Sequence, residues 1–407
     1  MDTVMDSAAE GRLRAYFDEI GEVLGDPRRR ACFAQYALGL LGDGDRKSME
    51  PIAVKHCPDP VLADAAHQRV QHFITDSSWD DRAVRLAAAR YALDPITQMA
   101  RIWAWIIDDT GFLKQGKHSV GVQRQYTGSA GKITNCQVGV SLTLATPTDF
   151  LPVDFELYLP VCWANDPARR QEARIPDEVT FKTKLQLALD MMRRAVDAHL
   201  PRGTVLADEA YGTSAMFREG VRRLGLNFAV AINSTVKAWI VDSLGRRHGD
   251  PISVTALAKK LDADGKFRRY TWREGTKGNL SARFAFLRVV PLADDGRPPR
   301  NRDRVWLVCE WRDDEDKPAH FHFVSYRRLR FAFMIHLLKE RWKTERVYQD
   351  LKGEIGLDHF EGRRFQGWHH HVSVALICFA FLAAERARRF PPSAVEDATS
   401  DALAVAA

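Results

Sequence analysis

Cysteine is scarce and scattered: the six residues Cys32, Cys57, Cys136, Cys162, Cys309 and Cys378 include no Cys-x-x-Cys pair. That argues against a zinc ribbon and against a disulfide-stapled scaffold, and is in keeping with a reducing cytoplasm. No secretory leader is expected at the start of the sequence either. The first residues, Met1-Asp2-Thr3-Val4-Met5-Asp6, are acidic and polar, unlike a secretory signal. Long hydrophobic runs are absent: the longest, Val372 to Ala384, is broken by Ser373 and reads as a buried helix rather than a bilayer span, so no membrane partner is expected. No motif for an activated serine or cysteine nucleophile is present, and no helix-turn-helix signature stands out.

What remains is ordinary globular composition with a basic bias. Across 407 residues, 45% are apolar and 28% charged, enough for a large core and two or three domains. A net charge of +6 and a pI near 9.0 favour a polyanionic partner.

Residues 1–95 carry apolar residues at helical spacing, as in Ala31-Cys32-Phe33-Ala34-Gln35-Tyr36-Ala37-Leu38, with Arg28-Arg29-Arg30 and Arg46-Lys47 near the ends of those runs. From residue 96 to 232 the pattern turns to strands. Ser119 to Tyr126 and Gln137 to Thr146 alternate on a period of two around Thr127-Gly128-Ser129-Ala130-Gly131, which predicts a hairpin. Phe155 to Leu159 is a further extended run, and Lys182 to His199 an amphipathic helix. Residues 233–330 hold short alternating runs separated by turn clusters. Residues 331–390 return to helix, and the Ala-, Asp- and Ser-rich tail 391–407 predicts disorder.

Three places concentrate chemistry. The run Ile102-Trp103-Ala104-Trp105-Ile106-Ile107 is predicted as a buried strand ending in Asp108-Asp109-Thr110-Gly111, and Thr204-Val205-Leu206-Ala207 as a second, ending in Asp208-Glu209. Further on, Arg341, Glu345 and Lys352 fall within about 40° of one another on a continuous helix, on the same stripe. An isolated Arg–Glu pair at this spacing is commonly a solvated helix salt bridge. Two strand-end aspartates and a helical glutamate are, together, a donor set for two hard divalent cations. His369-His370-His371 diverge by about 100° each on a helix, so they flank or cap it rather than converge on one ion.

The order Asp109, Asp208, Glu345 resembles the D-D-E triad of RNase H-like transposases from bacterial insertion sequences. Their Y-x(2)-R-x(3)-E-x(6)-K signature is matched at Arg341, Glu345 and Lys352, with Leu338 in place of the tyrosine and Tyr348 as a possible substitute. The segments Asp108 to Lys114, Gly116 to Val122 and Gly353 to Phe360 look like the same family. The resemblance covers about residues 25 to 385.

It implies an α/β fold: an RNase H-like catalytic core interrupted by a β-rich insertion at 233–330, with an N-terminal helical domain over 1–95 that either binds transposon ends or caps the core. It implies two Mg²⁺ or Mn²⁺ ions held by Asp109, Asp208 and Glu345. Arg341, Lys352, Tyr348, Lys114, Lys117 and Arg124 are implied as DNA contacts. The partners would be double-stranded DNA with terminal inverted repeats and target DNA, handled by a homodimer. Asp108 and Asp109 must point to opposite faces of a strand, so one alone leads the triad; the Asp-Thr step of the family favours Asp109. In the insertion, Arg268, Arg269, Tyr270, Trp272, Arg273 and Lys277 could stack on DNA, or form a solvated face. The resemblance implies cut-and-paste transposition; a nuclease without strand transfer, or an inactive DNA-binding remnant, is the alternative.

Overall fold

The computed structural model describes residues 7–57, 59–242, 246–275, 278–293 and 304–389, so Lys277 and the tail 391–407 lie outside the described residues. The chain divides into two compact units. The first takes residues up to Ile102, Asp108–His199, and those from Lys343 on. The second takes Trp103–Ile107 and Leu200–Trp342.

The first unit opens with helices α1 (Ser7–Leu24), α2 (Pro27–Leu41), α3 (Met49–His56), α4 (Pro60–Thr75) and α5 (Asp81–Met99). Strand β1 (Ala104–Leu113) belongs to both units, its first residues to the second and its later ones to the first. Then come β2 (Gln123–Thr127), β3 (Lys132–Ala145), β4 (Phe150–Tyr158) and helices α6 (Val161–Ala164), α7 (Pro167–Ala173) and α8 (Lys184–Asp197). Strand β3 is flanked by β1 and β2 and pairs antiparallel with both β2 and β4. The predicted hairpin is the turn between β2 and β3. Thr183 starts α8 with a reciprocal capping box to Gln186.

The second unit contains β5 (Thr204–Ala207), α9 (Glu209–Gly212), α10 (Ala215–Arg223), β6 (Phe228–Ile232), β7 (Lys237–Val241), β8 (Arg247–Ser253), α11 (Val254–Ala263), β9 (Arg268–Gly275), β10 (Gly278–Pro291), β11 (Val305–Trp311), β12 (His320–Val324) and α12 (Phe331–Leu338). Strands β1, β5 and β6 run parallel. Antiparallel β12, β11, β10, β7 and β8 extend that sheet, with β9 on the free edge of β10.

Two sequence expectations need correction. Strand β1 does not stop at the aspartates but runs on to Leu113, leaving Asp108 and Asp109 in mid-strand. Gly111 does not break it because the missing side chain is where Thr127 packs: a Cβ there would lie 2.1 Å from Thr127 Oγ1. The Arg341–Lys352 helix is not one regular stretch either. It is a 3-10 turn Lys339–Arg341, α13 (Trp342–Asp350) and a π turn Leu351–Ile355, so a uniform 3.6-residue period does not apply along it.

The helices over 1–95 join the first unit around α14 (Phe365–Arg389). The Tyr16 hydroxyl donates to the Ile377 carbonyl at 2.9 Å, Tyr36 Oη bonds His371 Nδ1 at 2.8 Å, and Arg12 forks onto Glu385. By length and composition α14 could cross a bilayer, but 94% of its most apolar stretch is buried inside the protein. The three histidines diverge as expected, but they are buried within α14 and neither cap nor flank it. His370 stacks on Trp79 at 3.7 Å, and burial lowers the pKa of His370 and His371 to about 4.

A charged network joins α5, β4, α8 and α14. Arg85, 2% exposed, reaches Asp81 at 2.5 Å, Asp154 at 3.1 Å and Ser373 Oγ at 2.7 Å. Arg194 bridges Asp154 and Glu156, and Arg82 also binds Glu156. Burial alone would raise the Glu156 carboxyl, but the His369 hydrogen bond and charge, then Arg194 and Arg82, outweigh it and hold the group well below the usual range. Asp81 is likewise held low by Arg85 against its burial. Such carboxylates contribute stability that is present above their unfolded pKa, about 4, and lost as pH falls below it. Arg85→Met leaves acids buried without their partner, so its urea midpoint should drop by an equivalent of about 3–5 kcal/mol. Its loss of stability between about pH 5 and pH 3 should be shallower than in wild type. An unchanged midpoint in urea melts across that range would count against the network.

Candidate active site

Alternation along β1 separates its two aspartates. Residues 108, 110 and 112 share one face, and 109 and 111 the other. On the first face, Phe112 meets Trp368 of α14 edge-on at 5.8 Å, and Thr110 Oγ1 accepts from Lys352 Nζ at 2.8 Å. The same ammonium donates to the Gly111 carbonyl at 2.8 Å and lies 5.2 Å from the Phe112 ring centroid. Asp108 is buried on this face.

Tyr348 of α13 belongs to the same neighbourhood, its hydroxyl 2.6 Å from Ser141 Oγ on β3. Burial raises this phenol well above its usual pKa, and the Asp108 carboxylate adds to the rise, more than Asp109 does. Glu345 stands one turn before Tyr348 and is exposed. Its helix docks through Thr344, Val347 and Leu351, and through Lys343, 2% exposed, whose ammonium donates to the Thr146 and Pro147 carbonyls at 2.5 and 2.7 Å. The first unit therefore gathers Asp108, Thr110, Tyr348 and Lys352, with Glu345 on the neighbouring turn.

Asp109 looks the other way. Both its oxygens accept from Lys184 Nζ of α8, at 3.0 and 3.1 Å. Lys184 escaped the sequence reading, since no spacing rule links residues 75 positions apart.

In the second unit, Asp208 follows the last residue of β5 and caps α9, its Oδ1 accepting from the Ala210 and Tyr211 amides at 3.0 and 3.3 Å. The close packing of α9 on β6 needs Gly212, where a Cβ would lie 2.0 Å from the Ala231 carbonyl oxygen. The rival Glu209 is the first residue of α9 and exposed. Arg341 is in this unit too, at the end of the 3-10 turn.

The six residues expected on DNA divide. Lys117 and Arg124 are exposed, and Arg341 half-buried. Lys114, Lys352 and Tyr348 are turned inward: Lys114 Nζ donates to the Phe360 carbonyl, and burial lowers the pKa of both lysines. Their polar atoms are committed to the protein, so a direct phosphate contact is not what this arrangement presents.

Aspartate and glutamate oxygens suit Mg²⁺ or Mn²⁺, and Mg²⁺ commonly takes one or two carboxylates together with substrate phosphates and water. The donor set fits such an ion in kind. Among the described residues no group of three His, Cys, Asp or Glu side chains stands ready to hold one.

Comparison with known proteins gives two findings. The family described as DDE superfamily endonuclease matches residues 19–279, which includes Asp108, Asp109 and Asp208 and stops short of Glu345. A protein of Microchaete diplosiphon named "Probable transposase for insertion sequence element IS701" is 29% identical over 224 residues, 55% of this chain and 53% of that protein. The chain thus matches about half the length of this curated relative.

Lys352→Met should leave the Gly111 carbonyl and Thr110 hydroxyl without their donor, at a cost of about 1–3 kcal/mol. Amide exchange should accelerate locally over Leu351–Ile355 and the second half of β1. Exchange equal to wild type there would show that the lysine does not hold the two segments together.

Proposed function

The chain belongs to the DDE superfamily endonucleases, and on that premise we propose that it is a DNA transposase, cutting and rejoining the ends of an insertion sequence by a cut-and-paste route. The proposed catalytic carboxylates are Asp208, Glu345 and, from β1, Asp108 in the place the sequence reading assigned to Asp109. The observation that carries this choice is the division of β1. Asp108 lies on the face of β1 that Lys352, through Thr110, ties to the segment carrying Glu345, whereas Asp109 lies on the face that Lys184 engages.

Two Mg²⁺ or Mn²⁺ ions bound by these carboxylates with DNA phosphates would lower the pKa of an attacking water and neutralise charge on the leaving oxygen. The chain's own residues do the rest. Glu345 is presented by a segment that Lys343 and Lys352 pin down, so its carboxylate would need little reorganisation to hold a divalent ion. Arg341 offers a fork to a flanking phosphate, and exposed Lys117 and Arg124 attract the backbone nearby.

In chain order, β1, β3 and β4 precede α8, and the parallel pair β5 and β6 follows; this supports reading the core as RNase H-like. Strands β7–β12 would be the insertion. The same reading makes the protein cytoplasmic, dimeric on DNA, and specific for terminal inverted repeats and target DNA, with α1–α5 contributing to end recognition.

The test is nicking of a duplex carrying the element's terminal repeats, in Mg²⁺ or EDTA, with strand transfer into a plasmid scored in parallel. Asp108→Asn, Asp208→Asn and Glu345→Gln should each lose activity by about 10³-fold or more, and Asp109→Asn far less. Loss in Asp109→Asn with Asp108→Asn active would return the first place to Asp109. Nicking without transfer would indicate a nuclease, and binding without nicking an inactive remnant.

A further inference from the structure

Arg341 sits in a three-residue 3-10 turn, Lys339–Arg341. Such a turn has poor internal hydrogen-bond geometry, so its position depends on what its flanks hold. The flank before it is held by the antiparallel strands of the second unit, and the flank after it borders them. On one side, Lys339 Nζ donates to Glu310 Oε1 of β11 at 2.6 Å and lies 4.3 Å from the Trp272 ring centroid of β9. On the other, Trp342 lies 6.0 Å from the Arg273 guanidinium, also of β9. Glu310 is 2% exposed and takes a second bond from Arg312 Nε at 3.0 Å.

A lysine serving only solubility would carry its ammonium to water. Lys339 instead brings its charge under an indole and onto a buried carboxylate, two residues before the arginine. His322 of β12 borders the cluster. Burial above all, resisted by Glu310 and reinforced by Lys339 and Arg341, lowers its pKa to about 4, which places Arg341 in the same electrostatic neighbourhood. Neither Lys339 nor Glu310 belongs to the R-x(3)-E-x(6)-K spacing.

We infer that Lys339 and Glu310 are positioning residues for Arg341: their ion pair fixes the turn so that the guanidinium is presented to a DNA phosphate. This rests on the proposed DNA contact of Arg341. It gives the β9–β11 strands a task in that contact besides any surface of their own.

The experiment is a double-mutant cycle on DNA affinity as a function of salt, using the full chain and a terminal-repeat duplex. Arg341→Gln should reduce the slope of log K against log salt by about 1, as loss of one phosphate contact does. Glu310→Asp keeps both charges and only withdraws the carboxylate by one methylene, yet should cause a similar reduction. The double variant should show no more than Arg341→Gln alone. Lys339→Met should behave as Glu310→Asp does; if it fails to fold, Glu310→Asp carries the cycle.

At saturating DNA, Lys339→Met should slow nicking by about 10- to 100-fold, in line with a small misplacement of a positioned group. A wild-type slope in Glu310→Asp, or slopes that add in the double variant, overturns the inference. An unchanged slope in Arg341→Gln instead overturns the DNA contact on which it rests, so the two failures are told apart.

Discussion

Inward-turned ammonium groups bonded to main-chain carbonyls are what the candidate site depends on. Lys343 holds the start of α13 to the Thr146 and Pro147 carbonyls, and Lys352 holds its far end to Gly111. Lys114 reaches the Phe360 carbonyl, and Lys47 those of Leu40 and Glu354. Hydrogen bonds from charged donors contribute about 1.5–3 kcal/mol each, and a desolvated ammonium that lost its acceptors would be costly. The segment that presents Glu345 is therefore fixed by side chains reaching into backbone, not by helix propensity. Its irregular form, a 3-10 turn and a π turn at either end of nine α-helical residues, is consistent with that.

The same tethers explain how one strand can serve two purposes. Lys352 commits the Asp108–Thr110–Phe112 face of β1 to the π turn after α13, while Lys184 commits the Asp109 face to α8. The Arg85 network makes the first unit's helices and strands interdependent, since its acids share their arginine partners across α5, β4 and α8. In the second unit, Asp208 is oriented by capping α9, a local device that needs no distant partner.

How much of this was legible follows the range of the interaction concerned. Period-two alternation located β3 and β11, the turn residues at 127–131 located the hairpin, and the Asp-Glu-Ala-Tyr-Gly run after β5 marked the corner at Asp208. All are signals within about ten residues of chain. The continuation of β1 past Gly111 was hidden, because glycine there answers the bulk of Thr127 rather than the needs of a turn. The inward direction of Lys114 and Lys352 was hidden for a related reason: their acceptors lie some 240 residues away in sequence. Spacing on an ideal helix placed Arg341, Glu345 and Lys352 on one stripe, and could not register that three kinds of helical turn divide them.

The central claim, that Asp108 leads the divalent-ion site together with Asp208 and Glu345, is tested most directly by letting the ion report its own position. Fe²⁺ substituted for Mg²⁺, with peroxide and a reductant, cuts protein backbone beside its ligands, and mass spectrometry locates the cuts. The account predicts cuts near residues 108, 208 and 345 that excess Mg²⁺ suppresses, abolished by Asp108→Asn and retained in Asp109→Asn. Cuts confined to other segments, or lost only with Asp109→Asn, would contradict it.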